Sequence, residues 1–223
     1  HDSIKSKKTM NIEGEPQSKL DELAIQSMNS WIRFFKDSYS YVIHSTYSQL
    51  LSKISCPLCN YETYNHDPIQ ILPLSVSNST NSIYDCLESF TQERSLDKDN
   101  QWKCDECKKY VNSSQQSILW NVSEILIIQL KLYTKHRKIT HFIEYPDILD
   151  ISKYCINYND TNCNYKLYGI CCQSGGLRGG HYYSICYNKY DEKWRLYNDA
   201  HVNELTNHDV FSKNPYCLFY KKQ

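Results

Sequence analysis

The sequence of 223 residues lacks the features expected of a membrane-bound or nucleic-acid-binding protein. No stretch approaches the roughly 18 consecutive apolar residues of a membrane span, and the first residues have no apolar signal-peptide core. Lysine and arginine together number 25, as do aspartate and glutamate, and no segment forms a sustained basic block. Because proteins bind nucleic acids and anionic membranes through a positively charged surface, we expect neither as a partner.

The sequence also lacks a disulfide framework, although it contains 11 cysteines. Four of them stand in two C-x2-C pairs, which leaves an odd number with no regular spacing. These seven are Cys86, Cys155, Cys163, Cys171, Cys172, Cys186 and Cys217. Such a set favours a reducing compartment, so we expect the protein in the cytoplasm or the nucleus.

Composition separates a polar N-terminal segment from a globular remainder. Residues 1–19 do not begin with methionine and contain lysines, serines, Gly14 and Pro16. We expect this segment to be a linker or a loop, and we expect the N-terminal part of a longer protein to precede it. Across the chain, 40% hydrophobic and 13% aromatic residues suffice to bury a core.

The two C-x2-C pairs, Cys56 with Cys59 and Cys104 with Cys107, predict a structural zinc site. Four thiolates are the ligand set of a closed tetrahedral site, and a two-residue gap lets both sulfurs of a pair face one ion. The alternatives are redox dithiols or four unrelated thiols. The 44 residues between the pairs exceed a minimal zinc finger, so the ion would pin the ends of a long insertion. A zinc-ribbon nucleic-acid binder is disfavoured by the neutral charge.

The hydrophobic pattern predicts an α+β architecture. Apolar residues recur at helical spacing from Leu20 to Ile54, which predicts one long or two shorter helices. The other predicted elements are a strand over 68–74, a helix over 82–90, an apolar strand around Ile125–Ile128 that is buried on both faces, and strands over 165–172, 182–187, 193–197 and 216–222. Together they indicate a helical N-terminal part, a zinc-pinned β extension and an antiparallel C-terminal sheet.

Near the C-terminus, a hairpin pattern places a histidine beside a carboxamide. The strands over 182–187 and 193–197 flank a polar, turn-like segment, 188–191. With the turn centred between Lys189 and Tyr190, His181 lies directly opposite Asn198 on one face. A histidine oriented by a carboxamide is the base half of a thiol or hydroxyl protease site.

The same register points Asp199 to the other face, unless a β-bulge re-aims it. The alternative role for His181 is that of a hydrogen-bonded histidine at a sheet edge. Gly179, Gly180 and the paired Asn198 favour the catalytic interpretation.

Several short motifs follow one another in a fixed order over most of the chain. They are Trp31 in an aromatic and aliphatic helix, Cys56-x-x-Cys59, Ile71–Leu74, Ser82–Phe90, Cys104-x-x-Cys107, Ile125–Leu132, Tyr145-Pro146, Tyr165–Tyr168, Gly179–Tyr182, Trp194, Tyr197–Asp199 and Tyr216–Tyr220. No single motif is decisive, but the ordered set resembles the ubiquitin-specific protease family of deubiquitinating cysteine proteases.

The resemblance implies the fold of that family, a papain-like cysteine protease with thumb, palm and fingers. On this basis, residues 20–54 are a helical remnant of the thumb and palm, residues 55–124 are the zinc-binding fingers with an intervening helix, and residues 125–223 are the palm with its antiparallel sheet. The implied cofactor is a structural Zn²⁺ on the four paired cysteines.

The resemblance also implies the reaction, the hydrolysis of a peptide or isopeptide bond after the C-terminal glycine of ubiquitin. His181 then matches the general base and Asn198 the third catalytic residue, while Asp199 is a lesser candidate for that position. Gly179, Gly180 and Tyr182 are expected to bind substrate, because residues without side chains let an extended Gly-Gly tail reach the nucleophile.

One departure from the family concerns the nucleophile. The family's glycine-rich cysteine box and its oxyanion-hole donor have no match in this sequence, and the seven unpaired cysteines fall where the family has no catalytic residue. Two explanations compete. Either the nucleophile lies outside this sequence, for instance on a separate N-terminal fragment, or the protein is an inactive pseudo-protease that binds ubiquitin. We favour the first, because His181 and Asn198 stand at positions that match the family's catalytic residues and because residues 1–19 have the composition of a segment cut from a longer protein.

Overall fold

The computed structural model describes residues 4–7, 11–156, 158, 162–176 and 179–223. Of the predicted linker 1–19, residues 1–3 and 8–10 lie outside the described residues, and residues 11–17 form no helix or strand. The chain divides into two compact units. Unit 1 draws on residues up to Ile69, on Thr91–Ser123 and on the stretch that begins at Ser152; unit 2 consists of Gln70–Phe90, Glu124–Ile151 and Asn162–Gln223.

The helices, in chain order, are α1 Lys19–Phe35, α2 Tyr41–Thr46, α3 Ile83–Thr91 and α4 Asn207–Phe211. The strands are β1 Ser48–Ser55, β2 Glu62–Ile69, β3 Ile71–Ser75, β4 Arg94–Leu96, β5 Trp102–Lys103, β6 Tyr110–Val111, β7 Ser113–Asn121, β8 Ile125–Lys131, β9 Ile148–Asp150, β10 Asn164–Gly176, β11 Gly179–Asn188, β12 Lys193–Asn198, β13 His201–Leu205 and β14 Pro215–Lys222. Short 3₁₀ helices cover Lys98–Asn100 and Ser152–Tyr154. No described helix combines the length and the apolar character needed to cross a bilayer.

Unit 1 packs helices α1 and α2 with a four-stranded antiparallel sheet in the order β2-β1-β7-β4 and a separate β5-β6 ribbon. Helix α1 begins where the Ser18 hydroxyl accepts a hydrogen bond from the Asp21 N–H, and acidic residues in its first turn complement the helix dipole. Leu23 of α1 packs with Leu51 and Trp120 in a buried cluster.

The helix predicted over 20–54 is wrong beyond residue 46. Residues 48–55 form β1, the central strand that pairs with both β2 and β7. Leu50 and Leu51 continue the helical spacing of apolar residues, but pairing with two neighbouring strands satisfies the backbone of this segment.

Unit 2 is an eight-stranded sheet in the order β13-β12-β11-β10-β14-β8-β3, with β9 alongside β10. Its centre is apolar, and Leu126, Ile128, Leu218 and Tyr220 are almost completely buried. The predicted antiparallel sheet is confirmed for every pair except β3 with β8, which run parallel. Strand β3 lies at the sheet edge, where Pro73 can be accommodated without an N–H group.

Three local predictions in unit 2 differ from the structure in detail. Strand β8 has the predicted position, but its residues alternate between buried and half-buried, so only one face is fully buried. The single strand predicted over 68–74 is interrupted at Gln70, between β2 and β3. The helix predicted over 82–90 is confirmed within one residue, and Ser82 and Asp85 exchange hydrogen bonds at its start.

Candidate active site and cysteine cluster

Two consecutive hairpins of unit 2 carry the predicted catalytic residues. Strand β11 pairs with β12, and β12 pairs with β13. The predicted register of the first hairpin is wrong by two residues, since Tyr197 pairs with Ser184 rather than with Tyr182. The loop, which is closed by Asn188 and Lys193, covers residues 189–192 and is therefore shifted by one residue from the predicted turn 188–191, with Glu192 at a φ of +56°. A shift of two residues preserves the face of every side chain, so His181 and Asn198 remain on one face.

His181 and Asn198 form the central contact of this site. The His181 Nε2–H donates to Asn198 Oδ1 at 2.5 Å. Because the carboxamide oxygen accepts this bond, Nε2 carries the proton of the neutral ring and Nδ1 carries the lone pair. Among the described residues none bonds to Nδ1, and 45% of the His181 side chain is exposed. The ring is therefore held in the tautomer of a general base, with its basic nitrogen available.

Asp199 approaches the same ring from the turn after β12. Its Oδ2 lies 3.7 Å from His181 Nε2, which is too long for a hydrogen bond, and 78% of its side chain is exposed. The expectation that Asp199 points away from His181 is wrong. Asn198 pairs with His201 across a two-residue turn, and a φ of +51° at Asp199 re-aims the carboxylate.

Of the two glycines before His181, Gly180 lies close against Gln173 and Ser174 of the neighbouring strand β10. A Cβ on Gly180 would collide with the Gln173 carboxamide and the Ser174 carbonyl, whereas a Cβ on Gly179 would meet nothing within 4 Å. Glycine is therefore required at position 180 by packing against β10, in addition to the predicted need for space beside the substrate tail. Tyr182 is 53% exposed, and its ring centroid lies 5.6 Å from that of Tyr216.

The sequence did not single out Lys138 and Gln173, which stand next to this hairpin. The Lys138 ammonium donates to the backbone carbonyl groups of Gln173 and Gly175 and to the Gln173 side chain. No motif marks either residue, because the contact joins two segments that are 35 residues apart in the sequence.

Five thiols of unit 2 share an environment that opposes ionisation. Burial raises the pKa of Cys86, Cys172 and Cys217 to about 11, and it also raises the pKa of Cys171 and Cys186. A nucleophilic cysteine needs a lowered pKa, so these shifts oppose such a role for the five thiols.

The second candidate site is the cluster of the four paired cysteines in unit 1. Cys56 and Cys59 lie in the connection between β1 and β2, and Cys104 and Cys107 in that between β5 and β6. The four Sγ atoms lie within 4.8 Å of one another, with 3.9 Å between Cys56 and Cys107 and 3.6 Å between Cys59 and Cys104. Four sulfurs at 2.3 Å from a tetrahedral zinc would be about 3.8 Å apart.

The two turns of the cluster share one backbone conformation. The fourth residue after the first cysteine, Asn60 or Lys108, has a φ near +60° and donates its N–H to the carbonyl of that cysteine. The N–H of the first cysteine donates to the carbonyl of Tyr61 or Lys109. This repetition turns both thiols of each pair toward the same point.

The cluster favours a thiolate at Cys56 but not at Cys59. A hydrogen bond from the Tyr61 backbone lowers the pKa of Cys59, but burial and the thiols of Cys56, Cys104 and Cys107 together raise it to about 12. Burial would raise the pKa of Cys56, but hydrogen bonds from the backbone N–H groups of Leu58 and Cys59 outweigh it and lower this pKa to about 7. Cys56 and Cys104 are buried and pack with Val111, so the cluster lies on an apolar base. Its distances and donor set could hold a tetrahedral metal ion.

Comparisons with known proteins identify the family of this chain. The family model of ubiquitin carboxyl-terminal hydrolases matches residues 7–220. Ubiquitin carboxyl-terminal hydrolase 4 of Saccharomyces cerevisiae is 28% identical over 96% of this chain, and hydrolase 9 of Arabidopsis thaliana is 35% identical over 63% of it. A chain of the SAGA DUB module Ubp8/Sgf11/Sus1/Sgf73 bound to monoubiquitin superposes over 91% of this chain with a TM-score of 0.74 and 26% identity.

The matched region is only part of each relative. It spans 26% of the yeast hydrolase, 16% of the Arabidopsis hydrolase and 47% of the solved chain. Within this chain, however, the family model covers nearly all residues, and the mixed α/β fold with its antiparallel sheets is that of the solved relative. The resemblance in the sequence is thereby confirmed, and the chain belongs to the ubiquitin carboxyl-terminal hydrolase family.

Proposed function

We propose that the protein is a thiol-dependent deubiquitinase for which this chain supplies the base and the residue that orients it. The observation that carries the proposal is the His181–Asn198 pair, in which Nε2 donates at 2.5 Å and Nδ1 is left as a basic nitrogen. Because the chain belongs to the hydrolase family, we infer that the bond to be cleaved follows the C-terminal glycine of ubiquitin.

In the proposed reaction, a cysteine outside this chain is the nucleophile. Nδ1 of His181 takes the thiol proton, the thiolate attacks the glycine carbonyl, and the imidazolium then gives the proton to the leaving amine. Water subsequently hydrolyses the thioester with His181 again acting as base. Asn198 holds the ring tautomer through both steps, and Asp199 adds a weaker, solvent-exposed attraction for the imidazolium.

The glycine pair and Tyr182 are proposed to guide the substrate to this base. Gly179 and Gly180 are exposed, and they immediately precede His181 on β11. A pair without side chains leaves room for an extended ubiquitin tail beside the strand, and the exposed ring of Tyr182 offers an apolar contact next to it.

We further propose that the cysteine cluster holds a structural Zn²⁺. Cys56, Cys59, Cys104 and Cys107 would fill all four positions of a tetrahedral ion, so the metal stabilises its unit and takes no part in the reaction. The unpaired thiols support the cytoplasm or nucleus as the compartment, where such groups stay reduced.

The first experiment uses the complete protein and a ubiquitin that carries a thiol-reactive group at its C-terminus. We expect covalent labelling of a cysteine outside this chain, detected from the intact masses of all polypeptides present. Labelling of a cysteine within residues 1–223 would refute the placement of the nucleophile. Ubiquitin binding without labelling would support the pseudo-protease instead.

The second experiment tests His181 directly. His181→Ala should lower the turnover of a fluorogenic ubiquitin substrate by about 100-fold or more, because the general base is lost. Ubiquitin affinity should stay close to that of the wild type. The matched control is His208→Ala, which removes an exposed histidine of α4 and should keep full activity. Equal losses of turnover and affinity in His181→Ala would contradict the assignment.

A further inference from the structure

Lys138 makes an unusually complete set of contacts for a half-exposed lysine. Its Nζ lies 2.6 Å from the Gln173 carbonyl oxygen and 3.3 Å from the Gly175 carbonyl oxygen, and it also donates to Gln173 Oε1. An ammonium group has three N–H donors, so these three acceptors can use all of them. The side chain is thereby fixed in one position instead of moving in solvent.

The acceptors belong to the last residues of β10, where the sheet loses one neighbour. Strand β14 pairs with β10 only as far as Cys172, whereas β11 continues to pair with β10 up to Gly176. Gly175 adopts a φ of +95°, which departs from strand geometry. Lys138 therefore stabilises a strand end that β14 does not support and whose backbone is irregular.

This strand end lies directly opposite the proposed active-site residues. Ser174 pairs with His181, and Gly175 pairs with Gly180. Lys138 bonds to the carbonyl groups of the residues on either side of Ser174, one of which is Gly175 itself. The Ser174 hydroxyl also donates to the His181 carbonyl at 3.3 Å. A displacement of the β10 end would thus move the backbone of His181 with it.

The side chain of Gln173 connects Lys138 to Gly180. Its Oε1 is bonded to Lys138, and its Nε2 lies so close to Gly180 that a Cβ there would collide with it. Because Lys138 binds the oxygen of the Gln173 carboxamide, the nitrogen of that carboxamide faces Gly180. The amide nitrogen, a donor, is the end beside the proposed path of the ubiquitin tail.

We infer that Lys138 is a positioning residue of the active site, which holds the β10 end and the Gln173 carboxamide so that Gly180 and His181 stand in a fixed geometry. The inference rests on the proposed function of His181 as the base. Lys138 itself makes no contact with His181 among the described residues, and it acts through Gln173 and Gly175.

The test compares variants of the complete enzyme. Lys138→Met keeps the length of the side chain and removes all three donors, whereas Lys138→Arg keeps the charge and several donors. Lys221→Met is the matched control, since it removes a lysine of the same unit that makes one 3.6 Å ion pair with Glu124. Should Lys138→Met fail to fold, Lys138→Gln replaces it.

Three quantities are measured for each variant: kcat and KM on a fluorogenic ubiquitin substrate, and the rate of amide hydrogen exchange over 173–182. We expect Lys138→Met to lower kcat by about 10- to 100-fold, because small displacements of a catalytic group are costly. Exchange over 173–182 should accelerate while that of β8 stays unchanged. Lys138→Arg should recover part of kcat, and Lys221→Met should match the wild type.

Three results would overturn the inference: an unchanged kcat in Lys138→Met, a lowered kcat without faster exchange over 173–182, or an equal loss in Lys221→Met. A wild-type enzyme that does not hydrolyse the substrate would instead refute the proposed function. In that case the exchange data still decide whether Lys138 holds the strand end.

Discussion

At the scale of single residues, Asn198 and Asp199 offer His181 two different kinds of support. Asn198 is half-buried and accepts a 2.5 Å hydrogen bond, which fixes both the tautomer and the orientation of the ring. Asp199 carries a charge but lies 3.7 Å away and is largely exposed, so water screens its attraction. We therefore expect the hydrogen bond to Asn198 to orient His181 more strongly than the charge of Asp199 does.

From this difference we predict unequal effects of substitution. Asn198→Ala should lower kcat/KM for a ubiquitin substrate by about 100-fold, because the ring loses its fixed orientation. Asp199→Ala should cost less than about fivefold, which corresponds to a surface ion pair. Asn198→Asp should retain most of the activity, since a carboxylate oxygen can accept the same bond. Equal losses in the two alanine variants would show that both residues orient His181.

The candidate site could be predicted from the sequence only where its contacts are local. His181 and Asn198 share a face in any register of even shift, so an error of two residues left their meeting intact. The approach of Asp199 depends on a positive φ in a two-residue turn, which strand alternation does not describe. The contact between Lys138 and Gln173 joins distant segments, and neither side chain carries a motif.

At the scale of elements, the two cysteine turns have the same backbone conformation, and one bound ion would hold the two turns together. Each turn reaches its geometry through a residue near φ +60°, a conformation that is unfavourable for Asn60 and more so for Lys108. The β5-β6 ribbon has only two residues in each strand, too few for independent stability. We therefore expect the metal to supply most of the stability of this ribbon.

Cys104 is one of the four proposed zinc ligands. Cys104→Ser should abolish stoichiometric zinc binding and sharply lower the midpoint of thermal unfolding, because a structural zinc site contributes on the order of 10 kcal/mol. Metal content is measured by elemental analysis and unfolding by calorimetry. The control, Cys186→Ser, alters a half-buried thiol of β11 and should leave the zinc content unchanged. Full zinc occupancy in Cys104→Ser would exclude Cys104 as a ligand.

An element with a clear start signal was predictable, whereas a segment whose apolar residues fit two periods was not. Helix α3 has a clear start at Ser82 and was predicted within one residue. Residues 48–54 fit helical spacing as well as a strand, and pairing with β2 and β7 decides between them. The parallel course of β3 beside β8 leaves no trace in the pattern of either strand, because alternation does not encode direction.

At the scale of the whole molecule, the chain passes between its two units several times. The sequence suggested consecutive segments, 20–54, 55–124 and 125–223, whereas β3 and most of α3 belong to unit 2 although they stand between the two cysteine pairs. This division depends on which strands pair, and β3 pairs with β8 across more than 50 residues of chain. Composition and local pattern do not specify such long-range partners.

The acid stability of the whole chain should depend on one buried histidine. His66 of β2 is 3% exposed, its ring meets the edge of Trp120 at 5.0 Å, and its Nε2 has no hydrogen-bond partner among the described residues. Burial lowers the pKa of His66 to about 4, although Asp67 partly opposes this shift. In the unfolded chain the pKa returns to about 6.5.

The sign of the effect follows from proton binding. Between pH 6.5 and 4 the unfolded state binds a proton that the folded state does not, so stability is fully present above pH 6.5 and is lost as the pH falls. The total loss amounts to about 3 kcal/mol once the pH is below 4. Carboxylates whose pKa is lowered in the fold, such as Asp85 and Asp209, act at lower pH.

Replacement of His66 by phenylalanine tests this account, because Phe can keep the edge contact with Trp120 and cannot titrate. Urea unfolding at pH 7.5, 6 and 5 should show a smaller loss of stability in His66→Phe than in the wild type. Acid also releases zinc from thiolates, but this release affects both proteins alike and cancels in the comparison. Parallel pH profiles for the two proteins would mean that His66 has the same pKa in the folded and unfolded states, which would contradict the effect of its burial.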